Sequence, residues 1–471
     1  MKATSVPAVY FLQLFVIAAI SLSTTTVASA AEWRSTKGVS VNTTYTDNRD
    51  LSDDNEKGEF SLGVTPSLGI TGRGARLTLD FRYAPGLRFR QSGDTSLTQT
   101  GAASLNSELY EDVLFLDASA NARQSLKNSF GRSGGDDVNR DDNTTQSYTY
   151  SISPYTRHRF GSYADSTLRY TYDGVINTSS DTNSSTSQRV SYSLASGRRF
   201  PVMPWSLDAL YSNVDYDDGG EDSKEYTVNG TVGYVLNRIW QLDFYGNYEK
   251  YDAALNETDD SNWGGGAGFT YTPSERTFLR LAYGYRIFGW NAYMDFSHRS
   301  KRSTWTASLT HDLQSSRDEQ LAQQTFDENG NPIFNPDAPN LERGDEYYVV
   351  DRLQTSYTLN GKRNSLGISG YISERRYEIS DEDQRNYGVS TRFNHSLSGK
   401  TSSNTFVSWD RSREDSDVDY DTTWTVGTGL THQLGARTNL SLDVRHLRKD
   451  ADSSDDDYTE NRISLTLGRR W

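Results

Sequence analysis

Residues Arg462–Trp471 read "RISLTLGRRW". Ile463, Leu465 and Leu467 alternate with Arg462, Ser464, Thr466 and Gly468, so an extended chain here has one apolar face and one polar face. The stretch stops on Trp471, an aromatic, in a chain whose mean hydropathy is -0.74. An amphipathic strand ending on an exposed tryptophan needs an apolar medium on one side, which points to a lipid-facing strand with Trp471 at the membrane interface.

The same period of two recurs along the chain. Apolar positions alternate at Leu77, Leu79, Phe81 and Tyr83, at Leu168, Tyr170 and Tyr172, at Val349, Leu353 and Tyr357, and at Leu440, Leu442 and Val444. Ser, Thr, Gly, Asn, Asp and Arg fill the positions between, and no stretch shows a convincing period of 3.6. Short connections bearing Gly, Pro or Arg, such as "TGRGAR", "HRFGSY", "TPSER" and "LSGKTS", alternate with long Asp- or Ser-rich ones such as "TDNRDLSDDNEKG", "GRSGGDDVNRDDNTT" and "KDADSSDDDYTE". Strict alternation of short and long gives every hairpin one kind of end on each side. Outer-membrane barrels have that asymmetry, with tight periplasmic turns and long external loops. Counting in this way gives a single closed antiparallel barrel of about 22 strands, within 18 to 24.

Composition agrees. Hydrophobic residues are 34% of the 471, while Tyr numbers 30, Trp 9 and Gly 37, which is sparse for a large aliphatic core and ample for aromatic girdles. The net charge of -15 argues against a nucleic-acid partner. There is no cysteine, which excludes disulfides, thiol nucleophiles and thiolate metal sites. Residues 1–30 have the form of an export signal: Lys2, an apolar run from Ala8 to Ile20 broken by Gln13, and the small residues Ala28 and Ala30. Cleavage is expected after Ala30, leaving 31–471 as the barrel in the outer membrane, among lipid and lipopolysaccharide.

Several blocks resemble one family. "VNTTYTDNRDL", "TPSLGITGRGARLTLDFRYAPGLRF", "YSISPYTRHRFGSYADSTLRYTYD" and "TPSERTFLRLAYGYRIFGWNAYMDFSHRSKRSTWTASLTHD" together are similar to the outer-membrane β-barrels associated with PEP-CTERM/exosortase systems. The resemblance runs over most of the chain after residue 30. It implies a porin-like barrel beside exopolysaccharide production and export, with the polymer and periplasmic export components as partners. It supplies no catalytic or ligand residues. The terminal Trp471 also resembles the C-terminal aromatic by which barrel assembly machinery recognises its clients.

The candidate functional surface is the lumen. Charged groups facing lipid cost roughly 2 to 4 kcal/mol near the midplane, so charges within strands are expected to turn inward. This assigns Asp80, Arg82, Arg169, Asp208, Asp243, Arg280, Asp351, Arg392, Asp443 and Arg445 to the interior, either contacting a polar cargo or pairing with one another. The longest connection, Gln314 to Glu346, carries Phe326, Ile333 and Phe334 and is expected either to constrict the pore or to pack over its mouth. Asp327, Asn329 and Asn331, or Asp455, Asp456 and Asp457, offer oxygen ligands for divalent ions, but no complete calcium loop is present and solvated acidic loops are the simpler expectation. The glycines of "WGGGAGFTY" precede no helix and are expected to be small inward residues of a strand, not a phosphate loop. No cofactor is implied. Six scattered histidines, His158, His298, His311, His395, His432 and His446, show no metal spacing and no nucleophile elbow, so an enzyme is not expected. Two rivals to an open conduit remain: a non-conducting structural component of the export machinery and an outer-membrane hydrolase.

Overall fold

The computed structural model describes residues 31–134, 137–139, 143–217, 222–252, 261–323, 341, 344–380, 382–414, 419–453 and 456–471. The expected export signal lies outside the described residues. Twenty-two strands, numbered in chain order, form one antiparallel sheet. Those rising from the short-turn end are β1 (Glu32–Thr46), β3 (Leu77–Arg90), β5 (Leu114–Leu126), β7 (Ala164–Asn177), β9 (Trp205–Tyr216) and β11 (Trp240–Asp252). They continue with β13 (Thr277–Arg286), β15 (Ser303–Ser315), β17 (Asn364–Tyr377), β19 (Thr401–Glu414) and β21 (Thr438–Asp450). Those descending are β2 (Glu59–Arg73), β4 (Thr95–Tyr110), β6 (Thr144–Phe160), β8 (Ser185–Ser196), β10 (Ser223–Val235) and β12 (Ser261–Ser274). The last of these are β14 (Gly289–Arg299), β16 (Tyr347–Asn360), β18 (Asp383–Ser396), β20 (Asp421–Gly435) and β22 (Tyr458–Arg470).

Each strand pairs with its sequence neighbours, and β1 pairs with β22 from Gly38 opposite Arg470 to Thr46 opposite Arg462. The backbone amide of Trp471 extends this seam by donating to the Lys37 carbonyl at 2.8 Å. The barrel is closed.

Directly opposed residues of an antiparallel pair share a face, so the register carries one face around the whole wall. Val41, Val64, Leu87, Leu97, Leu467 and Leu440 lie along one such row, and Leu467 is half-exposed in the bare chain because its neighbour in the cell is lipid. All nine tryptophans lie on this lipid face. Trp33, Trp205, Trp240, Trp305 and Trp471 sit at the short-turn end, and Trp263, Trp290, Trp409 and Trp424 toward the other. Two interfacial belts result, as the amphipathic indole ring prefers.

Three connections correct the expected strict alternation: on the short-turn side the link 197–204, between β8 and β9, is long, and two external links are short. The links Gln91–Asp94 and Ile287–Phe288 are on the external side yet are short. The second follows from Arg286, Ile287 and Gly289: Gly289 takes φ +105, the conformation glycine tolerates best, and closes a tight hairpin. As a result the wall is low at β13–β14, and β14 pairs with β15 only up to Met294 opposite Leu309. The upper parts of β15 and β16 lean inward there, burying Leu313, Val349 and Tyr347 against Tyr251 and Ile287.

The glycine run behaves as expected. Gly264, Gly266 and Gly268 face the lumen, because Tyr245, opposite Gly266, is on the same face as Asp243 and Glu249. A Cβ on Gly266 would stand 2.4 Å from the Tyr245 hydroxyl and 2.4 Å from the Tyr283 carbonyl oxygen. We predict that Gly266→Ala destabilises the barrel by about 1–3 kcal/mol through overpacking. Heat-modifiable gel migration of the two proteins checks this, with the variant unfolding at lower temperature.

Candidate functional site in the lumen and its external mouth

The register places nine of the ten expected residues on the inner face: Asp80, Arg82, Arg169, Asp208, Asp243, Arg280, Arg392, Asp443 and Arg445. Asp351 is the exception. It shares the face of Leu353 and Tyr357, which are lipid-exposed, and points away from the lumen toward His311 and Arg376. The physical reason is parity: an odd-numbered residue in this strand cannot lie opposite Leu353, and its neighbour Arg352 takes the inward position instead.

Several inward charges satisfy one another. Arg73 donates to Asp80 at 2.7 Å, Arg169 to Asp117 at 2.9 Å, and Arg445 to Glu460 at 2.9 Å. Asp243 accepts from Gln241 at 2.6 Å and Thr270 at 2.8 Å. Arg82 and Arg392 extend into the open lumen. Near the periplasmic side, Phe115 and Tyr155 stack inside the wall with centroids 5.1 Å apart, and Arg169 lies 3.9 Å over the Tyr155 ring. This aromatic–guanidinium platform was hidden in the sequence because Phe115 and Tyr155 occupy the polar parity of their strands.

A second inward feature spans seven strands. Ser297, Thr306, Ser356, Ser369, Ser390, Ser408 and Thr425 lie directly opposite one another from β14 to β20, forming one circumferential row of hydroxyls. Thr306 and Ser356 are 2.8 Å apart, and Ser369 and Ser390 2.7 Å. All of the row but Ser297 lines a cavity of about 1110 Å³ together with Gln354, Tyr371, Arg392 and Arg445. Hydroxyls here both donate and accept without fixing a charge, so the wall offers hydrogen bonds to neutral polar groups.

The external mouth is bridged. After β15 the chain forms a short helix, α1 (Ser316–Ala322), with Ser315 as N-cap accepting from the Asp318 amide and with Asp318 and Glu319 in the first turn, where the helix dipole favours them. Seven residues are too few for helical periodicity, but Ser315-x-x-Asp318 is a capping-box pattern that marks the start. Arg317 is buried, pairs with Asp173 of β7 and donates to Ser185 of β8 at 2.9 Å. Asp318 accepts from Arg189 of β8 at 3.3 Å. Glu319 accepts from Arg352 of β16 at 3.0 Å and Arg375 of β17 at 3.3 Å. Arg123 of β5 caps the far end, donating to the Gln320 and Gln323 carbonyls at 2.7 and 3.1 Å. The helix therefore ties β16–β17 to β5–β8 across the lumen.

The β5–β6 connection adds a second tie. Its Asp137 pairs with Arg88 of β3 at 3.0 Å, Asn139 bonds Glu460 at 2.9 Å and also Arg462, and the Gly134 carbonyl accepts from Arg445 at 2.6 Å. The expected apolar contributors Phe326, Ile333 and Phe334 lie outside the described residues, as do Asp327, Asn329, Asn331 and Asp455. Among the described residues no group of three or more His, Asp or Glu side chains is placed to hold a metal ion.

No family model and no curated protein matches the sequence. Solved structures do match the fold. The siderophore receptor PirA from Acinetobacter baumannii aligns over 92% of this chain and 80% of its own, with TM-score 0.53 and 8% identity. The FrpB iron transporter from Neisseria meningitidis aligns over 92% and 81%, with TM-score 0.55 and 8% identity. The ferric enterobactin receptor PfeA from Pseudomonas aeruginosa aligns over 93% and 81%, with TM-score 0.52 and 10% identity. The chain is an outer-membrane barrel. At these identities the likeness concerns the fold.

Removing Arg317 leaves Asp173 as an uncompensated buried charge, which costs about 3–5 kcal/mol. Arg317→Ala is expected to undock α1, raising hydrogen exchange of its backbone amides while the strand amides stay protected; protected α1 amides in the variant would show that the pair does not hold the helix.

Proposed function

We propose that this barrel is a conduit for a polyhydroxylated polymer or its fragments, working beside exopolysaccharide production and export, and that it conducts when α1 leaves the mouth. The seven-strand hydroxyl row carries this proposal. Sugar hydroxyls exchange hydrogen bonds with serine and threonine at similar strength, so a chain can move along such a wall without meeting a deep well. The mixed inward charges support the same cargo class, because a lumen in which Arg73, Arg169 and Arg445 are matched by carboxylates, with only isolated arginines such as Arg82 and Arg392 beside them, does not select a polyanion. The exopolysaccharide context rests on the resemblance of several sequence blocks to exosortase-associated barrels, and the receptor-like fold supports a transport role.

A second proposal, a non-conducting structural component of the export machinery, is favoured by the two ties across the mouth. One experiment separates them. Single-channel conductance is recorded in planar bilayers for the full chain and for a variant lacking residues 316–345. Large steps in the variant, blocked by added neutral polysaccharide, are expected for a conduit. Ser369→Ala, Ser390→Ala and Ser408→Ala combined should weaken that block about tenfold or more, since each lost hydrogen bond is worth about 0.5–1.5 kcal/mol. Silence from both proteins, despite heat-modifiable folding, would leave the structural role standing.

A further inference from the structure

On the lipid face, β18, β19 and β21 repeat one vertical order. Val389, Tyr387 and Arg385 rise along β18, Val407, Trp409, Arg411 and Arg413 along β19, and Val444, His446 and Arg448 along β21, with Val426 and Trp424 between them on β20. Aliphatic side chains give way to aromatic rings and then to guanidinium groups, all pointing outward. This is the order in which an outer leaflet presents acyl chains, interface and headgroup.

The arginines have local partners, yet two facts call for an anion. Arg385 stands directly opposite Arg413 in the β18–β19 register, on the same face. Like charges in that position repel. Arg411 and Arg413 also converge on one ring, 4.1 and 5.0 Å from the centroid of Tyr420, so three guanidinium groups border one small outward site. Around its edge, Arg385 pairs with Glu374 at 2.9 Å and Asp383 at 3.5 Å, Arg411 reaches Asp419 at 4.0 Å, and Arg448 pairs with Asp450 at 2.8 Å. Each guanidinium has five donors in a planar fork, so one carboxylate leaves donors over for a phosphate.

We infer that Arg385, Arg411 and Arg413 bind a phosphate of an outer-leaflet glycolipid headgroup, whose acyl chains lie on Val389, Val407 and Val426 below. A bound phosphate offsets the repulsion between Arg385 and Arg413, and the Tyr387, Trp409 and Trp424 rings cover the junction of headgroup and chains. The site is on the outside of the wall and is independent of any cargo in the lumen.

Thermal unfolding of the full-length protein in detergent, titrated with diphosphorylated lipid A, with the same lipid A after phosphatase treatment, and with inorganic phosphate, tests this. Half-saturation by the diphosphorylated form should come at about a tenfold or greater lower concentration than by the dephosphorylated form, as charge-assisted hydrogen bonds imply. Arg385→Gln with Arg413→Gln should abolish that preference while heat-modifiable folding persists. Should the double variant not assemble, Arg413→Gln alone and the wild-type comparison decide. Equal affinity for the two lipids, an unchanged preference in a folded variant, or equal stabilisation by inorganic phosphate would overturn the inference.

Discussion

Hydrogen bonding of the peptide backbone in a medium with no water governs this molecule. Within the hydrocarbon layer an unpaired amide or carbonyl has nothing to bond, at a cost of several kcal/mol per group, so a sheet that crosses it must have no edge. The seam between Gly38–Thr46 and Arg462–Arg470 supplies that closure, and it joins the two ends of the described sheet. Once closure is imposed, period two does the rest. Most outward positions meet lipid and inward positions meet water or another part of the chain, which is why a 34% hydrophobic sequence suffices for a protein this size.

Closure at 22 strands creates a second problem, a wide lumen. Side chains alone do not fill an interior of that diameter. The chain responds locally. Glycines on β12 admit Tyr245 against the wall, the low hairpin at Ile287–Phe288 lets β15 and β16 lean inward, and α1 carries that lean across to β5–β8. Charged pairs suit this tie because they are strong only while docked and dry. Arg317 and Asp173 are both nearly inaccessible, whereas Arg189–Asp318 and Arg352–Glu319 lie nearer to water and contribute less.

The barrel, its strand number and the facing of most lumen charges were legible in the sequence because each depends on parity alone. Asp351 shows how narrow that rule is. Val349, Leu353 and Tyr357 define the lipid parity of β16, and Asp351 belongs to the same series; its charge suggested the lumen while its position required the outside. Charge has two polar refuges in a barrel, the lumen and the headgroup layer, and height along the strand chooses between them. Phe115 and Tyr155 are the converse case, aromatics on the inward parity that composition assigns to the girdles. The hydroxyl row and the α1 tie were not legible, since both need the register between strands far apart in sequence, and α1 is too short to show a period.

The two polar surfaces of this wall are built to different ends. Inside, serine and threonine align across seven strands while the neighbouring charges are mostly matched, so the lumen presents many weak and equivalent bonds. Outside, at the height of the external aromatic belt, Arg385, Arg411 and Arg413 concentrate charge on one spot. Weak, repeated contacts permit passage, whereas convergent charge permits retention. The proposed passage of a polar cargo and the inferred lipid site call for both, and period two lets one strand such as β19 present them with alternate residues: Ser408 inward, and Trp409 and Arg411 outward.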